Sequence, residues 1–310
     1  MLRASLAGLG VGDGLPVRIM GVINVSPESF YKGSVRTGER EILETAERMV
    51  GEGAEVIDVG GRSTAPYLET RIPVEEEIRR AVSAVKLLAG SFSQPVSIDT
   101  TSAEVARAAL DAGARIVNDV YGFEDDAMPA LIAESGVSAV VGARPRLGDR
   151  LPAVEQTIAA LRRSLDKAAE AGVKLEKLVI DPAFGFYGRR EMPSEEELRN
   201  PLELLQREAS KAEPYWFVRD FLLLTRLNTL RELGRPILVG ISRKSFLRIP
   251  TGRRSPEERM HASLAAEAYA VLRGAHIVRT HNPGATRDAV RVAEWIALTQ
   301  RGICDTTRLG

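Results

Sequence analysis

Eight short runs rich in valine and isoleucine recur along the chain, each followed by a stretch with helical periodicity. They are 18–23 (RIMGVI), 55–59 (EVIDV), 95–98 (PVSI), 115–119 (RIVND), 137–141 (VSAVV), 177–180 (KLVI), 236–241 (PILVGI) and 276–280 (HIVRT). These read as continuous apolar runs, not strict alternations, which is the pattern of a parallel strand buried on both faces. Regular alternation of strand and helix implies a parallel sheet with crossover helices. Eight units within 310 residues predict a closed (β/α)8 TIM barrel in a single domain, 1–310, over an open doubly wound sheet. No G-x-G-x-x-G follows the first run, which weighs against a dinucleotide-binding fold.

The helical stretches carry their own punctuation. Ile42, Leu43, Ala46, Met49 and Val50 keep one face, and Gly53 stands where a C-terminal cap belongs. Thr101 and Glu104 have the spacing of a capping box. Two segments exceed a minimal barrel. Residues 1–17 precede the first strand and are expected to cap the barrel floor. Residues 188–235 are too long for one loop and one helix. Ser194 followed by three glutamates marks a helix start there, and Tyr215, Trp216, Phe217, Phe221 and the leucines at 222–224 supply a bulky apolar surface. Packing on the barrel or a dimer contact is the expectation for that surface, ahead of a lid.

Composition narrows the class. Lys plus Arg and Asp plus Glu are both 42, so the net charge is zero and nothing points to nucleic acid or an anionic membrane. No apolar run reaches the roughly 18 residues of a membrane span. One cysteine, Cys304, excludes an internal disulfide framework and a cysteine-based zinc cluster. A cytoplasmic protein is the expectation.

In such a barrel the chemistry sits at the C-terminal ends of the strands. The runs lead to Asn24; to Asp58 and the loop GGRST (60–64); to Asp99 and Thr100; to Asn118 and Asp119; to Gly142 and Arg144; to Asp181; to Ser242, Arg243 and Lys244; and to Arg279 and His281. Any one polar residue after a strand is as readily a turn former or helix cap. The set is harder to explain that way, because all would converge on one mouth. Asp99, Asn118 and Asp181 offer acceptors and an amide suited to a flat heterocycle with several N–H groups. Arg279, His281, Asn24 and the loop at 60–64 offer cations and donors suited to phosphate, and Lys244 can bridge the two. Arg243 either supports the loops or forms an outward salt bridge.

Seven segments carry a family resemblance: IMGVINVSPESF (19–30), GAEVIDVGGRST (53–64), SIDT (97–100), IVND (116–119), DPAFGF (181–186), VGISRKSF (239–246) and RTH (279–281). In these the chain resembles the dihydropteroate synthase family, in that family's order and across nearly the whole barrel. The resemblance implies condensation of 6-hydroxymethyl-7,8-dihydropterin diphosphate with p-aminobenzoate or a related arylamine, with release of pyrophosphate and usually with magnesium. It implies that Asp99, Asn118, Asp181 and Lys244 hold the pterin. Asn24, Thr64, Arg279 and His281 would hold the diphosphate, with Asn24 near magnesium, and Ser245 and Phe186 would receive the arylamine. Asp99, Lys244, Arg279 and His281 would be the catalytic set. Phe30 and Lys32 would lie on a loop that folds over the site, and a homodimer is expected.

The chain departs from the family's pattern at Arg62, where an acid is usual, and at Ala65, where an arginine is usual and which Arg62 would partly replace. It departs also at 140–146 (VVGARPR), and at Tyr187 and Gly188 after Phe186. Two other readings stay open at this point: a methyltetrahydrofolate–corrinoid methyltransferase-like enzyme, and a noncatalytic pterin-binding paralogue.

Overall fold

The computed structural model describes residues 1–26, 38–62, 72–146 and 150–306. The chain opens with an antiparallel hairpin, β1 (Arg3–Leu6) and β2 (Leu9–Gly12), turned at Ala7 and Gly8. The eight runs then form one parallel sheet: β3 (Arg18–Asn24), β4 (Val56–Gly60), β5 (Val96–Asp99), β6 (Ile116–Asp119), β7 (Ser138–Gly142), β8 (Leu178–Asp181), β9 (Leu238–Val239) and β10 (Ile277–Thr280). Hydrogen bonding follows the order β8-β7-β6-β5-β4-β3-β10-β9. The seam closes through a parallel bridge between Ile180 and Ile237, where the Ile180 N–H donates to the Pro236 carbonyl at 3.0 Å. The expected (β/α)8 barrel is therefore the observed one. Strand β9 is shorter than the six-residue run suggested, because it follows Pro236, which has no N–H to give a ladder.

The helices are α1 (Glu39–Gly51), α2 (Val74–Ser91), α3 (Ala103–Asp111), α4 (Ala127–Ser135), α5 (Ala153–Glu170), α6 (Glu195–Arg199), α7 (Pro201–Ala209), α8 (Trp216–Thr225), α9 (Arg248–Thr251), α10 (Met260–Leu272) and α11 (Pro283–Thr306). Gly53 ends the α1 turn at φ +102°, its N–H on the Val50 carbonyl at 2.9 Å, a conformation a side chain would resist. The cap of α3 falls one residue later than the Thr101–Glu104 spacing suggested. Ser102 caps it by accepting from the Val105 N–H, while the Thr101 hydroxyl accepts from Arg62.

The hairpin packs on the barrel floor. Leu6 and Val11, both fully buried, meet a layer of inward side chains that includes Met20, Val56, Ile116 and Ile277. Burial of each hairpin side chain contributes about 2 kcal/mol. Ser138 pins the contact, accepting from the Ala7 N–H at 2.9 Å and donating to the Ser5 carbonyl at 3.0 Å.

Residues 188–235 contribute α6, α7, α8 and a 3-10 turn at 227–233. Ser194 forms the full capping box with Glu197. The bulky residues pack within the chain: Tyr215, Trp216, Phe217, Leu223 and Leu224 are all buried. Phe221 sets its edge on Phe246 at 5.1 Å, and Phe246 in turn stacks on Phe184. Helix α8 thus reaches the loop that follows β8.

Candidate active site

Side chains two residues apart on a strand share a face. Counting two on from the floor layer gives Asp58 from Val56, Asn118 from Ile116, Asp181 from Val179 and Arg279 from Ile277. The same count from inward Ser97 gives Asp99, which pairs in register with Asn118. The polar set is thus the next layer of the barrel interior. Asp58, Asp99, Asn118 and Asp181 are buried, and the Arg279 side chain is 16% exposed.

Arg279 ties this layer together. Its Nε donates to Asp58 Oδ2 and its Nη2 to Asp99 Oδ2, both at 2.7 Å. Asn118 Nδ2 donates to the same Asp58 oxygen at 3.1 Å. One cation therefore serves two buried carboxylates. Burial opposes the charge on Arg279, but Asp58 and Asp99 outweigh it and hold the guanidinium ionised. Asp99 is pushed up to about 7, first by burial and then by the charge on Asp58, against the attraction of Arg279 and Lys244. Asp58 Oδ1, Asp99 Oδ1 and Asn118 Oδ1 are buried with no hydrogen-bond partner among the described residues. Arg279 therefore stands on the carboxylate side of the mouth, and the division into an acceptor half and a cationic half that the sequence suggested is not found.

Lys244 is the second cation. Its ammonium sits 4.3 Å from the centre of the Phe186 ring, a cation–π contact, and Phe186 meets the edge of Tyr121 at 6.3 Å. Burial lowers Lys244 to about 8, with Arg279 adding to the shift and Asp181, Asp220 and Asp99 opposing it. Burial likewise raises Asp181, whose Oδ1 accepts from the Ala183 N–H at 2.8 Å. Gly185 makes room for this arrangement. Its φ is +79°, and a Cβ there would lie 2.8 Å from Lys244 Cδ.

The remaining residues frame the mouth. His281 is buried and held neutral, its pKa lowered first by burial and then by Arg279, Arg243 and Lys244. Its backbone N–H reaches Ser242 Oγ at 3.3 Å, and its Nδ1 lies 3.0 Å from the same oxygen. We assign the Ser242 hydroxyl proton to Nδ1, which puts the imidazole proton on Nε2. His281 thus offers a neutral donor and not the cation the sequence suggested. Arg243, at φ +60°, is buried and supports loops: it donates to the carbonyls of Pro256 and Glu257 and to Asn282 Oδ1. Ser245, half-buried, begins a 3-10 turn at 245–247. Arg62 does not substitute for an arginine at 65, because it bonds to buried Glu77 and to Thr101. Thr64, Ala65, Phe30 and Lys32 lie outside the described residues.

Asn24 stands half-buried at the end of β3. Its Oδ1 lies 3.0 Å from where a Cβ on Gly60 would stand, a tight approach that glycine relieves. Among the described residues no three His, Cys, Asp or Glu converge to hold an ion. This donor set fits a magnesium ion that arrives on a phosphate and keeps most of its waters.

Asp58 was placed at the mouth by the sequence reading but given no role there. Arg219 and Asp220, which meet the loop after β8, had no signal, since helical periodicity does not say which turn of α8 meets a loop.

A closed parallel barrel with buried acceptors, one bridging guanidinium and a lysine over an aromatic ring defines an enzyme-type site for a planar, N–H-rich heterocycle. The family model described as pterin binding enzyme matches residues 20–211 and 218–281. The dihydropteroate synthase of Escherichia coli (strain K12) is 31% identical over 285 residues, spanning 89% of this chain and 90% of that protein. That of Mycobacterium leprae (strain TN) is 38% identical over 294 residues, spanning 89% and 92%. The solved dihydropteroate synthase from Coxiella burnetii, in complex with pteroic acid, superposes with a TM-score of 0.77 at 28% identity, covering 96% of this chain and 99% of that one. The Yersinia pestis enzyme, in a sulfonamide drug complex, gives 0.79 at 26% identity, covering 96% and 100%. The chain belongs to the pterin-binding enzyme family.

Proposed function

We propose that the chain acts as a dihydropteroate synthase, condensing 6-hydroxymethyl-7,8-dihydropterin diphosphate with p-aminobenzoate and releasing pyrophosphate, in folate biosynthesis. The observation that carries this reading is the trio of unpartnered buried acceptors, Asp58 Oδ1, Asp99 Oδ1 and Asn118 Oδ1, held in one layer by Arg279. A pterin edge supplies matching N–H donors, and a site built this way rejects analogues that lack them.

Asp99, Asn118 and Asp181 take the pterin edge, and Lys244 lies over it. The C–O bond to the diphosphate breaks first, and its electron pair leaves on pyrophosphate. The methylene left behind is cationic, delocalised into the dihydropterin ring and offset by ionised Asp99. The arylamine nitrogen, placed by Phe186 and Ser245, then forms the new C–N bond and loses its extra proton to solvent. Arg279 and the Nε2–H of His281 stabilise the charge that grows on the leaving group. Magnesium held at Asn24 would supply further neutralisation of that charge.

The partner is a second copy of this chain. On α11, Val292, Trp295 and Leu298 are 61%, 73% and 59% exposed, an apolar face of the kind a homodimer covers. No helix among the described residues is long and apolar enough to cross a membrane, and we place the protein in the cytoplasm. The direct test is incubation with the pterin diphosphate, p-aminobenzoate and magnesium while following pyrophosphate. Stoichiometric pyrophosphate and dihydropteroate support the reading, and release of neither overturns it.

A further inference from the structure

We propose that Arg219 and Asp220, carried by the segment inserted after β8, are positioning residues for this reaction: by clamping the backbone of 182–185 they set where Asp181, Phe186 and Lys244 stand. The proposal rests on the transferase reading above and assigns it two residues outside the mouth.

The geometry is specific. Both side chains are buried, Arg219 at 3% exposed and Asp220 at 0%. Arg219 Nη1 donates to the Ala183 carbonyl at 3.2 Å and to Asp220 Oδ1 at 3.1 Å. Its Nη2 donates to the Pro182 carbonyl at 3.1 Å and to Thr157 Oγ1 at 3.3 Å. Asp220 Oδ2 accepts from the Gly185 N–H at 2.9 Å. The pair therefore grips both sides of one short loop, carbonyls by the cation and an amide by the anion.

That loop is the kind that needs gripping. Ala183 sits at φ +57°, a left-handed conformation that a residue with a Cβ adopts only when its surroundings impose it. Its N–H is the one that holds Asp181 Oδ1. Gly185, two residues on, is the wall against which the Lys244 stem lies, and Phe186 carries the ring under the Lys244 ammonium. Arg190 from the same segment adds a 2.6 Å bond to the Gly185 carbonyl. A loosened grip would move an acceptor, a ring and a cation together.

The pair is also electrostatic. Lys244 faces Asp99 of β5, Asp181 of β8, Asp220 of α8 and Arg279 of β10. Asp220 is thus one of three carboxylates that keep the ammonium protonated against burial and Arg279. A buried ion pair is a weak source of stability but a strong constraint on geometry. Its value here is where it points the loop.

The test uses Asp220→Asn and Arg219→Lys in the full-length chain. Asn keeps an acceptor for the Gly185 N–H and removes the charge. Lys keeps the charge and cannot span two carbonyls. We expect the KM for the pterin diphosphate to rise about tenfold in each, as for other small displacements of a binding group, and the KM for p-aminobenzoate to rise with it, because Phe186 moves with the loop. In Asp220→Asn the loss of activity at alkaline pH should also begin at lower pH than in wild type, because Lys244 loses a carboxylate that keeps it protonated. A purely structural role would lower the melting temperature and leave the pH profile and both KM values alone. Folded variants with wild-type KM values and an unmoved alkaline limb overturn the proposal. Should either single variant fail to fold, the double change Arg219→Met with Asp220→Leu removes both charges without orphaning one, and the same two readouts decide. Inactive wild-type protein would overturn the transferase reading instead; the clamp is then judged by calorimetry, where variants that bind dihydropterin as tightly as wild type overturn it.

Discussion

Arg279 and Asp99 meet at 2.7 Å inside the barrel, and the same guanidinium meets Asp58 at 2.7 Å on its other edge. Two buried carboxylates sharing one cation leave a net negative charge in a dry site, with Lys244 close by. The arrangement is complementary to a heterocycle that becomes positive during its reaction, and it makes Arg279 the residue whose loss is felt by most others.

Replacing Arg279 with methionine should lower kcat/KM by about 10²–10³, the loss seen when one preorganised electrostatic donor is removed. It also orphans Asp58 and Asp99, so affinity for the pterin should change with pH in the variant. Steady-state kinetics and calorimetry check both, and near-normal turnover would sink the assigned role.

The activity should be bell-shaped in pH. Asp99 acts ionised and is pushed up to about 7, so kcat/KM for the pterin diphosphate should rise as pH climbs through that value. Lys244 acts protonated and is lowered to about 8, so activity should fall as pH climbs past it. The kcat/KM profile reports groups of the unliganded enzyme. A flat profile between about pH 5 and 9 contradicts this assignment.

Gly185→Ala tests the contact behind Lys244. The new methyl would lie 2.8 Å from Lys244 Cδ on a residue at φ +79°. We expect about 1 kcal/mol or more of lost stability together with a drop of about tenfold in kcat/KM as the ammonium is displaced. Thermal melts and kinetics on one preparation separate the two effects.

Chelation of divalent ions should reduce turnover while leaving binding of a dihydropterin lacking the diphosphate unchanged, since Asn24 lies at the β3 end and the acceptors lie deeper. Asn24→Ala should raise the magnesium concentration needed for half-maximal rate by about tenfold. Equal magnesium requirements in wild type and variant would remove Asn24 from that role.

Trp295→Glu should convert dimers to monomers in light scattering, because it places a charge in the centre of the exposed α11 face. Unchanged dimeric mass in both proteins moves the interface elsewhere, and a monomeric wild-type protein overturns the dimer.

Much of the site was legible because barrels impose a count. Seven of the eight strand runs led to an acid, an amide or a cation, and period two places Asp99, Asn118, Asp181 and Arg279 in one interior layer. What stayed hidden depended on rotamers and on long-range packing. Arg279 turned toward Asp58 and Asp99, a choice set by two carboxylates from different strands that no spacing reveals. His281 read as a cation, but burial beside three positive charges keeps it neutral. The α3 cap is Ser102, one residue on from Thr101, whose hydroxyl accepts from Arg62. Nothing in the sequence singled out Arg219 and Asp220. Only the fold of the inserted segment puts them under the loop after β8.

The hairpin that seals the floor makes the cavity a blind well, entered from one rim alone. Met1 is fully exposed at the far pole, beneath the seal. An affinity tag or surface anchor attached there would stand a full strand length from the rim, so an immobilised chain should bind its ligands as the unattached one does.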